Sequence, residues 1–143
     1  MKTRSMMFAM TAAVLTLGGA LFAADLANVK CPVSGKPALE EHAVNHNGGK
    51  VYFCCPNCPK AFQANTEKFA AKANHQLAKT GQIKQTACPI TGKPLNAETA
   101  IDVQGVDVAF CCNGCKGKVS KATPAEQLEL AFGAKAKGWE AAK

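Results

Sequence analysis

The sequence is poor in the residues that build an ordinary core. It has one Trp, one Tyr and seven Phe, a thin supply for two independent hydrophobic centres in 143 residues. Units of roughly 50–60 residues are marginal on burial alone and commonly need a metal or disulfides. Arginine is absent beyond Arg4, and the lysines are scattered. The net charge of +7 therefore reads as solvated surface rather than as a track for nucleic acid. A long βαβ pattern is also missing, which argues against a thioredoxin-like scaffold. What the chain has instead is cysteine: eight of them, at positions 31, 54, 55, 58, 88, 111, 112 and 115.

The first 24 residues read as an address. Lys2 and Arg4 form a positive start, Met6 to Phe22 is apolar and uncharged, and Ala23 and Ala24 precede the polar turn at Asp25. These are the three parts of a secretory signal. The apolar run is short for a membrane span and is interrupted by Gly18-Gly19. Cleavage after Ala23 or Ala24 is expected, although Leu21 or Phe22 then stands where a small residue is preferred. No cysteine lies at that boundary, so a lipid anchor on an N-terminal Cys is not supported. The expected mature chain is periplasmic or secreted, does not span the membrane, and meets an oxidising compartment.

The remainder is one unit written twice. Cys31-Pro32-Val33-Ser34-Gly35-Lys36-Pro37 returns as Cys88-Pro89-Ile90-Thr91-Gly92-Lys93-Pro94, 57 positions later. Cys54, Cys55 and Cys58 return at the same offset as Cys111, Cys112 and Cys115, as do Gly48/Gly105, Val51/Val108, Phe53/Phe110, Thr66/Thr123 and Gly81/Gly138. No gap is needed. Self-similarity this regular marks a duplication and divides the mature chain into units 25–86 and 87–143. Each unit opens with a Pro- and Gly-punctuated turn. A hairpin follows, through Asn47-Gly48 in the first copy and Gln104-Gly105 in the second. The chain then turns into a helix at the cysteines, where Asn57 and Asn113 are expected caps. A second helix closes each unit: Thr66 capping Glu67 to Lys79, and Thr123-Pro124-Ala125-Glu126 opening a helix that reaches about Lys137. Phe69, Ala73 and Leu77, and Leu128 and Phe132, supply the core faces. The fold class expected is α+β, two tandem small zinc-finger-like units.

The spacing of the sulfurs suggests what they do. Cys54 ends the hairpin and Cys58 lies one helical turn on, so both thiols can face one point. The hairpin returns the chain to the turn that carries Cys31. Three sulfurs from two loops then converge, and the same holds for Cys88, Cys111 and Cys115. Soft thiolates select zinc, cuprous copper or toxic soft ions.

These residues resemble a known family. Cys31, then Cys54 and Cys58, is similar to the TRASH-type metal-binding motif, and Tyr52-Phe53-Cys54-Cys55-x-x-Cys58-x-x-x-Phe62 is similar to the related YHS domain. The resemblance covers both units. It implies a treble-clef-like fold, with heavy metal bound for sensing, trafficking or resistance and no enzymatic activity. It implies Zn2+ or Cu+, about one per repeat. The ligands it implies are Cys31, Cys54 and Cys58, then Cys88, Cys111 and Cys115. The second copy departs from the aromatic pattern, with Ala109 for Tyr52 and Val119 for Phe62. With an export leader in front, a membrane metal transporter or another envelope metalloprotein is the expected partner, and nucleic acid is not.

The fourth ligand stays open. Ser34 and Thr91 stand where a four-cysteine knuckle has a further Cys, and hydroxyls there suit turn hydrogen bonds better than metal. Cys55 and Cys112 are the remaining sulfurs, and we count them among the metal-site residues. His42 or His46 could supplement the first site alone, since their counterparts are Thr99 and Val103. Water or an outside ligand completes the alternatives. Three sulfurs suit cuprous copper; a closed four-ligand site suits zinc. Two rival readings use the same cysteines: a disulfide framework, since the count is even and the chain is small and exported, and a thiol–disulfide protein using Cys55-Pro56-Asn57-Cys58 at a helix start.

Overall fold

The computed structural model describes residues 26–143; the leader expected over residues 1–24 lies outside the described residues. The chain is α+β, built as two small zinc-finger-like units. In the first, strand β1 (Leu39–His46) pairs antiparallel with β2 (Gly49–Phe53), then come helices α1 (Asn57–Ala64) and α2 (Thr66–Lys79). A short strand, β3 (Ile83–Gln85), leads into the second unit, with strands β4 (Asn96–Asp102) and β5 (Asp107–Phe110), helices α3 (Asn113–Ser120) and α4 (Pro124–Phe132), and a last strand, β6 (Trp139–Ala141).

Both hairpins turn where the dipeptides place them. Asn47 and Gly48 have φ of 47° and 81°, and Gln104 and Gly105 have φ of 53° and 88°. Positive φ at both central residues is the primed turn whose twist matches paired strands. Val51, Phe53, Phe62, Ala73, Leu77 and Ile83 pack as the first core, and Val103, Val108, Phe110, Val119, Ala131 and Phe132 as the second. Trp139 packs against both, 4.9 Å from the Phe132 ring, and its indole N–H donates to the Ala131 carbonyl at 2.8 Å. A single indole thus completes two aromatic-poor centres.

The segment between the units is more than a linker. β3 pairs antiparallel with β6, Ile83 opposite Ala141, Lys84 opposite Glu140 and Gln85 opposite Trp139. The two strands are corresponding pieces of the duplicated sequence, so the repeats meet through a self-complementary contact of the kind a two-fold dimer uses. Asn74 adds a bond from α2 to the carbonyl of Phe132 at 2.8 Å, and the His75 ring N–H donates to the Gln104 carbonyl at 3.1 Å.

Several helix ends differ from expectation. Asn57 and Asn113 are first helical residues, not caps: the cap positions are Pro56 and Cys112, and neither supplies a side-chain bond. Thr66 begins α2 behind Asn65, and its hydroxyl donates back to the Phe62 carbonyl at 3.1 Å, because α1 and α2 almost abut. The capping box at Thr123 and Glu126 is present. The helix it opens ends at Phe132 rather than near Lys137. Gly133 occurs where the first unit has Gln76, and a glycine there weakens helix continuation. A side chain at Gly133 would also collide with the Glu129 carbonyl. The chain released at that point lets the Lys137 N–H reach the Pro89 carbonyl at 3.0 Å, tying the C-terminal segment to the second cysteine turn.

Candidate metal centres

Each centre begins with a tight turn. The Cys31 N–H donates to the Lys36 carbonyl at 2.8 Å and the Gly35 N–H returns to the Cys31 carbonyl at 2.9 Å; the corresponding bonds from Cys88 to Lys93 and Gly92 to Cys88 are 2.9 and 2.7 Å. Gly35 and Gly92 take φ of 73° and 74°, a conformation that glycine adopts without strain. Folding the turn this way aims backbone N–H groups at the cysteine sulfur.

Cys54 arrives on the strand end. The backbone of β2 is fixed from its outer edge by glutamine side chains acting as a missing third strand. The Gln76 amide accepts from Tyr52 N–H at 2.7 Å and donates to the Tyr52 carbonyl at 2.8 Å; Gln82 does the same to Lys50 at 2.7 and 2.8 Å. Gln76 also donates to the Lys30 carbonyl at 3.0 Å, coupling the strand to the residue before Cys31. In the second unit Gln85 brackets Ala109, accepting at 2.9 Å and donating at 2.8 Å. Thr99, from the facing strand, brackets Phe110. Sequence reading missed these residues. Gln76 and Gln85 correspond to Gly133 and Ala142, so the repeat carried no mark of them.

The result is two groups of three sulfurs. Cys31, Cys54 and Cys58 have their sulfurs all within 4.8 Å of one another, and so do Cys88, Cys111 and Cys115. Sulfurs about 2.3 Å from a tetrahedral zinc stand roughly 3.8 Å apart. Cys54 and Cys58 are separated by 3.7 Å, and Cys111 and Cys115 by 3.8 Å. The donor set therefore fits a soft ion in chemistry and in size. Cys31 and Cys88 are buried, while Cys54, Cys111 and Cys115 retain partial exposure.

Cys55 and Cys112 adjoin these groups without belonging to them. Cys55 Sγ lies 3.4 Å from Cys58 Sγ, and Cys112 is exposed with its sulfur 3.8 Å from Cys111 Sγ. Neither His42 nor His46 joins the first group. His42 lies 3.7 Å from Glu41. His46 is at the hairpin's far end, edge-on to Phe62 at 5.2 Å, in a cleft of about 460 Å³ between the units. Burial lowers its pKa, against a bond with Asn74 that raises it. Ser34 and Thr91 do make turn bonds, each accepting from the N–H two residues on at 3.3 Å. Their hydroxyls also contact Cys54 Sγ at 3.0 Å and Cys111 Sγ at 3.3 Å. All eight cysteines are free.

Within each three-sulfur group the electrostatics favour one thiolate; outside the groups Cys55 is lowered, chiefly by a bond with the Cys58 thiol, and Cys112, chiefly by the Cys115 N–H. Burial pushes the Cys31 thiol up, but the Ser34 hydroxyl and the N–H groups of Ser34, Cys54 and Val33 outweigh it and leave the pKa at about 7. Cys88 is likewise opposed by burial and brought to about 6 by the Thr91 hydroxyl and the N–H groups of Thr91, Cys111 and Ile90. Cys58 and Cys115 go the other way. Burial, then bonding to neighbouring thiols, raises Cys58 strongly and takes Cys115 to about 12. With no ion to share, the charge on Cys31 adds to the rise at Cys58 and that on Cys88 to the rise at Cys115; a cation would oppose both.

Comparison of the chain with family models, with characterised proteins and with solved structures finds no match. Among the described residues no helix is long and apolar enough to cross a membrane.

Proposed function

We propose that this chain is an exported, non-enzymatic carrier or sensor of soft metal ions, of the TRASH/YHS-like kind, taking about one zinc or cuprous ion per unit. The observation that carries the reading is the pair of three-sulfur groups, each compact enough to surround one ion. Cys31, Cys54 and Cys58 are the ligands in the first unit, and Cys88, Cys111 and Cys115 in the second. Three thiolates satisfy cuprous copper as they stand; zinc takes a fourth donor from solvent or from a partner. Partial exposure of Cys54, Cys111 and Cys115 favours hand-over to another metalloprotein or a membrane transporter, because an incoming thiol can reach the ion before the outgoing ones leave. The apolar run from Met6 to Phe22 supports export.

The test is anaerobic reconstitution of the reduced mature protein with Zn2+ or Cu+, followed by metal analysis after desalting. The expected result is two ions per chain, with thiolate-to-metal charge-transfer absorption where the ion permits it. A chain that keeps its thiols reduced and retains no ion overturns the proposal.

A further inference from the structure

One cysteine in each unit lies outside the three-sulfur group, and the two are placed differently. In the first unit the Cys58 N–H donates to the Cys55 carbonyl at 3.3 Å, closing a tight turn over Pro56 and Asn57. This brings Cys55 Sγ to 3.4 Å from Cys58 Sγ, closer than the 3.7 Å between the ligands Cys54 and Cys58. Cys55 is partly exposed while Cys58 is buried. In the second unit the Cys112 carbonyl accepts instead from Lys116 at 3.1 Å. Cys112 is in extended conformation, with φ −161° and ψ 167°, and its sulfur lies 3.7 Å from where a Cβ on Gly114 would stand. Its sulfur lies 3.8 Å from that of the adjacent Cys111, a bridge between adjacent residues is strained, and its interaction with Cys115 lacks the turn bond that draws Cys55 to Cys58.

We infer that the first unit carries the faster thiol–disulfide exchange site, with Cys55 as the attacking thiol and Cys58 as the resolving one, through which an external disulfide expels the metal from that unit before the other. The metal part rests on the function proposed above; the exchange part stands on the Cys55–Cys58 geometry. Cys55 gives its proton to solvent and its thiolate attacks one sulfur of the external disulfide, forming a mixed disulfide and releasing one thiolate. The Cys58 sulfur leaves the ion and attacks Cys55 Sγ, forming the Cys55–Cys58 bond and releasing the second thiolate. Two cysteine sulfurs lose two electrons and the external disulfide gains them. The metal keeps its oxidation state and is left with Cys31 and Cys54, one ligand short of the three that held it. The second unit keeps its ion longer, because Cys112, although it also interacts with Cys115, makes no sulfur contact as close as the 3.4 Å between Cys55 and Cys58.

The experiment treats the reduced full-length mature protein, with and without Zn2+, with glutathione disulfide, then maps bridges by peptide mass spectrometry and counts bound zinc. The expected outcome is a Cys55–Cys58 bridge in both samples and a fall from two zinc ions to one in the loaded sample. Cys55→Ser should hold both ions under the same treatment. Replacing Pro56 and Asn57 by the second unit's Asn and Gly should slow the exchange at least several-fold. If Cys111, Cys112 or Cys115 is bridged as fast as Cys55, or if Cys55→Ser loses zinc at the parental rate, the inference is wrong. A protein that binds no zinc at the outset defeats the metal reading. The bridge map of the metal-free sample then decides the exchange site separately.

Discussion

The two units share their cysteine turn, hairpin and three-sulfur group but differ in what supports them. The first has a 14-residue second helix and the second a 9-residue one. In the first, Gln76 on that helix holds both the strand leading to Cys54 and the residue before Cys31. In the second, glycine stands at that position, and the strand is held by Gln85, from the segment joining the units, and by Thr99. The first unit therefore carries its own brace; the second borrows part of its brace from the first. A duplicated site can stay constant while its scaffolding diverges, provided the same backbone groups remain bonded.

The comparison can be broken most decisively at the ligands. Cys58→Ser should lower bound metal from about two ions per chain to about one, and Cys115→Ser should do the same at the other site, since each removes one of three donors. Metal analysis of the two variants and the double variant reads this directly; a single substitution that emptied both sites would show that the units do not bind independently.

Trp139→Ala strikes what the units share. Losing a large side chain packed against both cores, with its N–H bond to Ala131, should cost on the order of 3 kcal/mol. Denaturant unfolding of the metal-free protein checks this, and both units should loosen together. Loss of signal from the second unit alone would mean that the indole seals one core rather than two.

The glutamine braces sharpen the contrast. Gln76→Ala strands the buried N–H and carbonyl of Tyr52 and should destabilise by about 2 kcal/mol. Gln85→Ala, at a half-buried position, should cost about 1 kcal/mol. Hydrogen exchange at Tyr52 and Ala109 locates each effect: Gln76→Ala should speed exchange in the first unit, and Gln85→Ala in the second although the residue precedes it. The cap is a comparable test. Thr123→Ala removes a reciprocal box and should cost about 1 kcal/mol, confined to α4.

The finest distinction is in protons. In the metal-free protein Cys88 titrates at about 6 and Cys31 at about 7, both below the ordinary thiol value of 9.0. Because the folded values are lowered, the stabilisation is fully present above that ordinary value and fades as pH falls through about 7 in the first unit and about 6 in the second. Thiolate absorption of the metal-free chain should show both steps. Cys31→Ser should delete the upper one and Cys88→Ser the lower.

Much of this was legible in the residues. The 57-residue offset anticipated two matching hairpins and two sulfur groups, the Asn-Gly and Gln-Gly dipeptides located both turns, and the spacing of Cys31, Cys54 and Cys58 anticipated the convergence of three sulfurs. These signals are local or repeated. The pairing of β3 with β6 was not legible, since Ile83–Gln85 is three residues long and its partner lies more than fifty positions away. The early end of α4 depended on one glycine inside an otherwise helical pattern. Cys55 and Cys112 look equivalent in sequence, and only the backbone after each separates them.

The bracketed strands have a further consequence for the metal-free chain. A two-stranded hairpin leaves the outer flank of each strand open, here those of β2 and β5 among them, the usual starting point for one chain to stack upon another. At Lys50, Tyr52 and Ala109 that flank is already engaged by carboxamides, so an approaching strand finds no free backbone groups there. Part of the protection against fibrillar self-association is thereby built from carboxamides rather than from sulfurs, and it needs no ion.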